Sequence, residues 1–319
     1  MQTLLVSGLS FILSLFLYPL FIKYLNQKQH QQIVSEYSLE SFKTKAKTPS
    51  LGGVLFVIIP VFSLIVIYPK SVLDTRVVLV LLVYLAYGLI GFIDDYKIIL
   101  ERNNKGLSAR VKFMMQLVLA LIFYFIFRQE LSASIDIPFV DFSIDLNVFY
   151  AAFVLFIFTG SSNAVNLTDG MDGLAGGTSL IALVPFAVFA YLQKEVYVFG
   201  FICSLIASLL AYLWFNKHPA KIIMGDTGAL ALGAVLAAIA LVLKQEFSFV
   251  FIMAVFIYET LCVMIQIGSV KLFKKRVFKY TPIHYSYTLS GWKETNVVYF
   301  FWFLGFVSML IGLWLGVNR

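Results

Sequence analysis

The sequence predicts an all-α polytopic membrane protein of about ten transmembrane helices, with residues 1–319 forming one integral-membrane domain. Three observations carry this. Hydrophobic residues make up 61% of the chain and charged residues only 13%, against roughly a quarter charged in ordinary soluble domains. The apolar residues are gathered into runs of roughly 17–25, the length that crosses a bilayer core. Nearly all the acids and bases fall in the breaks between those runs.

The runs lie near residues 3–22, 51–68, 77–93, 111–127, 147–160, 174–192, 196–215, 227–243, 247–268 and 296–316. The fifth is short, and the ninth has the character of a broken span. The first lacks a small-residue cleavage pattern and reads as a retained helix. Cys203 and Cys262 both sit inside apolar runs, so neither a disulfide nor a thiolate metal site is indicated. Orientation follows from lysine and arginine. Lys70, Arg76, Arg128, Lys194, Lys244 and Arg319 fall in the even breaks and the tail, and the other 18 of the 24 basic residues fall in the odd breaks. The odd breaks are therefore expected to be cytoplasmic and both termini extracellular. The net charge of +7 is spread over loops, so no nucleic-acid partner is implied.

Taken in order, the first break ends in Lys47-Thr48-Pro49-Ser50-Leu51-Gly52-Gly53. A glycine pair at a helix mouth can turn backbone N–H groups toward a ligand, and Lys47 adds a point charge suited to phosphate. A simple helix cap is the alternative. At the end of the third run stand Asp94 and Asp95, costly there unless a cation or a proton-transfer role offsets them, or unless the helix end is solvated. Ser108 is placed to cap the fourth run, with Arg110 and Lys112 at its entrance. Alternation around Pro138 suggests a small external β-hairpin near residues 135–146. Between runs five and six, Asn163-Ala-Val-Asn166-Leu-Thr-Asp169-Gly-Met-Asp172-Gly173 sets two carboxamides and two carboxylates at three-residue spacing. A helical or turn-like backbone puts all four on one side, although a glycine-rich turn with Asx caps has the same composition. The seventh break carries Asn216, Lys221 and Asp226, the last flanked by Gly225 and Gly228 and equally suited to N-cap the eighth run. In the ninth break, Lys271, Lys274, Lys275, Arg276 and Lys279 alternate with apolar residues, as in a segment lying on an anionic leaflet. His284 follows; a lone histidine is more often structural than catalytic. Glu259, an acid in mid-run, is expected to face the bundle interior as a hydrogen-bonding residue.

Asp94, Asp95, Asp169, Asp172 and Asp226 thus come from three breaks on one predicted face, joined by Lys47, Lys112 and Lys221. Hard carboxylates with lysines and asparagines suit a magnesium-bound polyphosphate. Phosphoryl transfer asks chiefly for positioning and charge neutralisation, and a site at the membrane surface admits one soluble and one lipid-borne substrate.

With these motifs in this order over essentially the whole chain, including Met224-Gly225-Asp226 and Gly291-Trp292, the sequence resembles the polyprenyl-phosphate N-acetylhexosamine-1-phosphate transferase superfamily. It is most similar to the branch that moves phospho-MurNAc-pentapeptide from UDP-MurNAc-pentapeptide to undecaprenyl phosphate, giving lipid I and UMP. The resemblance implies a Mg²⁺-dependent enzyme of the bacterial cell membrane, homodimeric, with its site on the cytoplasmic face. It implies Asp226 as metal ligand, Asp94 deprotonating or positioning the lipid phosphate with Asp95 in support, and His284 in the catalytic set. Lys47, Asn166, Asp169 and Asn216 would hold the uridine diphosphate, with Lys112, Asn163, Asp172 and Lys221 among the substrate-binding residues. Two positions depart from the branch. After Pro282-Ile283 it usually carries three consecutive histidines, whereas here the run is His284-Tyr285-Ser286; three residues before Asp226 it tends to carry a phenylalanine, where this chain has Ile223. A sister transferase using another UDP-N-acetylhexosamine is therefore the alternative. A secondary transporter fits less well, because its acids would lie near the midplane at a repeat interface.

Overall fold

The computed structural model describes residues 1–28, 48–101, 106–128, 133–140 and 142–318. The helices are α1 (Gln2–Gln27), α2 (Gly53–Ile67), α3 (Thr75–Glu101), α4 (Ala109–Phe127), α5 (Phe149–Thr168), α6 (Leu174–Leu192) and α7 (Val196–Asn216). They continue with α8 (Gly225–Val242), α9 (Glu246–Ile252), α10 (Ala254–Phe273), α11 (Ile283–Leu289) and α12 (Glu294–Val317). Among the described residues nine are long and apolar enough to cross a membrane, and α2, with 15 residues, is shorter. The ninth run is broken at Met253 into α9 and α10.

Two helices outrun their apolar stretches. α3 passes through Asp94 and Asp95 and ends about two turns later. α5 continues to Thr168, so Asn163 and Asn166 stand on a helix rather than in a loop. Polar residues are tolerated there because Thr159, Ser161 and Thr168 donate their hydroxyls to carbonyls one turn back.

α8 is the hub, buried at every residue from Thr227 to Val242 and packed against α2, α3, α5 and α6. Its alanines and glycines let neighbouring backbones come close, as lipid-embedded helix pairs require. The tightest approach that bears on the site is Gly91 of α3, where a Cβ would lie 2.2 Å from the carbonyl oxygen of Asp226. The α1–α7 seam is held by small polar groups: Ser14 and Ser208 hydroxyls 2.7 Å apart, and Ser10 donating to the Ser204 carbonyl at 2.9 Å.

At the C-terminal end of α8 lies the hairpin, β1 (Ser134–Ile137) antiparallel to β2 (Phe142–Asp145), with Ile135 opposite Ile144. Lys244 donates to the Ser134 carbonyl at 2.7 Å, and Phe139 packs on Trp314 of α12 with ring centres 4.6 Å apart. Helices α1 and α12 have their outer ends on this same side, opposite the start of α8. The basic stretch after α10 is helical only through Phe273; it then folds back, Val277 and Phe278 donating their N–H groups to Gln266.

Candidate active site

α8 opens at Gly225, φ +70°, with no side-chain cap of its own. The cap comes from α3. Asp95 Oδ1 accepts the Asp226 N–H at 3.0 Å, and Oδ2 accepts the Thr227 N–H at 2.9 Å and the Thr227 hydroxyl at 2.6 Å. A carboxylate on unpaired helix N–H groups is favoured by hydrogen bonding and by the helix dipole. Asp226 is thereby relieved of capping and faces other groups. Lys112 of α4 contacts its Oδ2, and Asn166 of α5 donates to its Oδ1 at 2.7 Å. The same ammonium lies 3.0 Å from Asp94 Oδ2, while Asp94 Oδ1 accepts the Leu107 N–H at 2.6 Å. Four helices thus bring Asp94, Asp95, Lys112, Asn166 and Asp226 to one point. The side chains of Asp226 and Lys112 stay 24% and 20% exposed against 5% for Asp94, so a ligand meets the first two.

Asn163 stands one turn deeper and donates to Gln116 of α4 at 2.8 Å, joining α5 to α4 below Lys112. Asp169 ends α5 and begins the turn to α6. Tyr285 of α11 donates to the Gly170 carbonyl in that turn at 3.2 Å. Burial raises the Tyr285 phenol above its ordinary pKa, with the charge of Asp169 adding to it, so the hydroxyl remains a donor at neutral pH.

The other anticipated residues form separate clusters. Asn216 accepts the Gly173 N–H at 2.9 Å and donates to the Ile222 carbonyl at 2.8 Å, fixing the start of α6 against the α7–α8 loop. Asp172 Oδ2 takes His218 Nδ1 at 2.9 Å and the Ala220 N–H at 3.1 Å, and the Asp172 N–H donates to Glu294 at 3.0 Å. Asp172, His218 and Glu294 offer ligand atoms within 4.8 Å of one another. The committed Asp172 oxygen makes this group a clamp between the loops and α12. Neither His218 nor Glu294 stood out in sequence, since each acts only through a partner distant in the chain. Lys221 is exposed on the same loop. His284 is fully buried: Nδ1 lies 2.9 Å from Glu259, whose other oxygen accepts the Ile283 N–H at 2.8 Å. Its Nε2 has no partner among the described residues and faces Gly170.

Lys47 lies outside the described residues. The expectation that the Gly52 and Gly53 N–H groups face a ligand is corrected. They donate to the Ile223 and Met224 carbonyls at 2.8 and 2.9 Å, and Ile223 donates to the Pro49 carbonyl at 2.9 Å. Backbone groups here tie the mouth of α2 to the segment that leads into α8.

Asp94 and Asp226 each present one carboxylate oxygen to a single cationic group, and Mg²⁺ is typically held by one or two carboxylates plus substrate phosphates. The donor set fits that ion. The two adjacent aspartates separate by experiment. Asp95→Asn turns amide hydrogens toward N–H donors and is expected to lower stability by about 1–3 kcal/mol, read as a lower Tm. Asp94→Asn, which caps no helix, is expected to lower Tm less than Asp95→Asn does while transfer is lost.

The description "Glycosyl transferase family 4" matches residues 77–244, which include Asp94, Lys112, Asn166 and Asp226. The chain is 42% identical over 318 residues to the phospho-N-acetylmuramoyl-pentapeptide-transferase of Staphylococcus saprophyticus, covering 98% of this chain and 99% of that one. It is 41% identical over 314 residues to the proteins of the same name from Staphylococcus epidermidis and Staphylococcus carnosus, covering 97% of this chain and 98% of each.

Proposed function

Since the chain belongs to glycosyl transferase family 4 and, over nearly its full length, to the phospho-N-acetylmuramoyl-pentapeptide-transferases, we infer that it transfers phospho-MurNAc-pentapeptide from UDP-MurNAc-pentapeptide to undecaprenyl phosphate. The products are lipid I and UMP, the first membrane step of peptidoglycan synthesis. In this reaction the P–O–P bridge of the donor is broken, a new bridge forms to the acceptor phosphate, and UMP leaves with the old bridging oxygen. The observation that carries the assignment of roles is the meeting of Asp94, Lys112, Asn166 and Asp226 where four helices open to one face.

Asp94, least exposed, takes the proton of the acceptor phosphate or holds that phosphate in line. Lys112 neutralises phosphate charge between the two carboxylates. Asn166 orients Asp226 by donating to Oδ1, and Asp95 keeps Asp226 in register by anchoring the helix on which it rides. Asp226 with Asp94 would hold Mg²⁺, which when bound supplies Lewis-acid neutralisation of the diphosphate. The turn from Asp169 to Gly173, with Asn216 behind it, forms the wall on which the uridine side of the donor rests. The protein resides in the bacterial plasma membrane, with this end of the bundle on the cytoplasmic side. The excess of lysine and arginine in the odd breaks supports that orientation.

Buried His284 without its usual histidine neighbours, and Ile223 in place of an aromatic, make donor choice the point to test. UMP release is measured from UDP-MurNAc-pentapeptide and from UDP-GlcNAc with undecaprenyl phosphate and Mg²⁺. Turnover with the first and inertness of the second is expected; the reverse preference would assign the chain to a sister transferase.

A further inference from the structure

Outside the reaction centre, Asp172, His218 and Glu294 bring three segments far apart in the chain to one point: the α5–α6 turn, the α7–α8 loop and the first turn of α12. His218 Nδ1 lies 2.9 Å from Asp172 Oδ2 and 3.9 Å from Glu294 Oε2. In a tetrahedral zinc site with ligand bonds of about 2.0–2.1 Å, neighbouring ligand atoms stand about 3.3–3.4 Å apart. The two separations straddle that value, so shifts of roughly half an ångström would seat an ion. Both carboxylates are already aimed. The Ala220 N–H holds Asp172 Oδ2 at 3.1 Å, and the Asp172 N–H holds Glu294 Oε1 at 3.0 Å, leaving Oε2 on the His218 side. Outer hydrogen bonds of this kind orient the ligands of metal sites. The His218 side chain is 43% exposed, so an ion can enter from water. The neighbouring Lys217 ammonium is drawn off over the Trp214 ring, 3.9 Å from its centre.

We propose that these three side chains form a second cation site, for a borderline divalent ion of the zinc class, with water in the fourth position. An imidazole nitrogen selects such an ion, whereas Asp94 and Asp226 offer Mg²⁺ oxygen alone. The hydrogen bond between His218 and Asp172 does not stand in the way. An ion takes the place of its proton, and Oδ2 keeps the Ala220 N–H on its other lone pair. Two carboxylates neutralise the divalent charge. A clamp of hydrogen bonds becomes one of coordinate bonds, tying the turn that carries Gly173 to α12. No step of phosphoryl transfer enters this argument, so the site stands whether or not the transferase reading does.

Cobalt(II) is the probe, added to the full-length protein in detergent with Mg²⁺ in excess to fill the oxygen site. Expected are the intense visible bands of tetrahedral cobalt at one ion per chain, displaced by zinc and not by Mg²⁺, and lost in His218→Gln. Zinc at about a hundredfold excess over its Kd should raise Tm by about 5 °C, an increase that EDTA reverses and His218→Gln lacks. Weak octahedral bands alone, or tetrahedral bands that survive His218→Gln, overturn the proposal. Should the variant misfold, the wild type decides through diethyl pyrocarbonate. While Nδ1 carries the proton, Nε2 has a free lone pair and reacts; with an ion on Nδ1 the proton sits on Nε2 and the ring is protected. Zinc-dependent protection of His218, read by mass spectrometry of its peptide, supports the site. Equal labelling with and without zinc refutes it.

Discussion

Asp226→Asn is expected to lower transfer on the order of a thousandfold, the effect of deleting one preorganised charged group from a phosphoryl-transfer site. The structure explains why no compensation is available. Both carboxylate oxygens are committed to donors, Oδ1 to the Asn166 amide and Oδ2 to the Lys112 ammonium. A carboxamide brings its own NH₂ to one of those donors, so a hydrogen bond is lost together with the charge. The helix itself should be undisturbed, because its cap is Asp95 and not Asp226. Steady-state UMP release, with Tm as the folding control, reads this. A variant of wild-type Tm that keeps activity within threefold would remove Asp226 from the centre of the site.

Gly91→Val is expected to damage stability and activity together. Any Cβ at this position meets the Asp226 carbonyl oxygen at 2.2 Å and the Thr227 nitrogen at 2.4 Å, both backbone atoms that cannot rotate aside. α3 and α8 must separate, at a cost of about 1–3 kcal/mol or more. That separation also pulls Asp95 from its three donors and Asp94 from its alignment with Asp226. Gly160 of α5, where a Cβ meets nothing within 4 Å, supplies the control: Gly160→Ala should keep activity and hold or raise Tm through better helix propensity. An active, stable Gly91→Val would show that the two helices are not held at this distance.

The helical bundle was legible because spans are written in the chain as uninterrupted apolar residues. Ser108 as the cap of α4, the hairpin alternation and the weakness of the ninth run were likewise local signals. Hydropathy failed at the site-side ends of α3 and α5, where Asp94, Asp95, Ser161 and Asn163 continue a helix that has ceased to be apolar. The spacing of Asn163 and Asn166 did carry the right face, since three-residue separation is helical. What could not be read were groups whose meaning depends on a distant partner. Gly52 and Gly53 use their N–H groups on Ile223 and Met224. Asp95 finds the end of α8, and Asp172 finds His218 and Ala220. In each, composition announces a polar group, and only the tertiary fold says which neighbour satisfies it.

The carriers of the charged groups differ in how firmly they are built in. Asp226 rides on a helix buried along its length, and Asp94 on the helix that abuts it through Gly91. Lys112 rides on α4, which buries only Gln116, Ala120, Phe123 and Phe127 and packs chiefly on α3 and α5. The anionic half of the centre therefore belongs to the frame of the molecule, and the cationic half to a wall facing lipid. Change accumulating on α4 leaves the carboxylates in register. Substitutions on the outward face of that helix should therefore leave the fold standing.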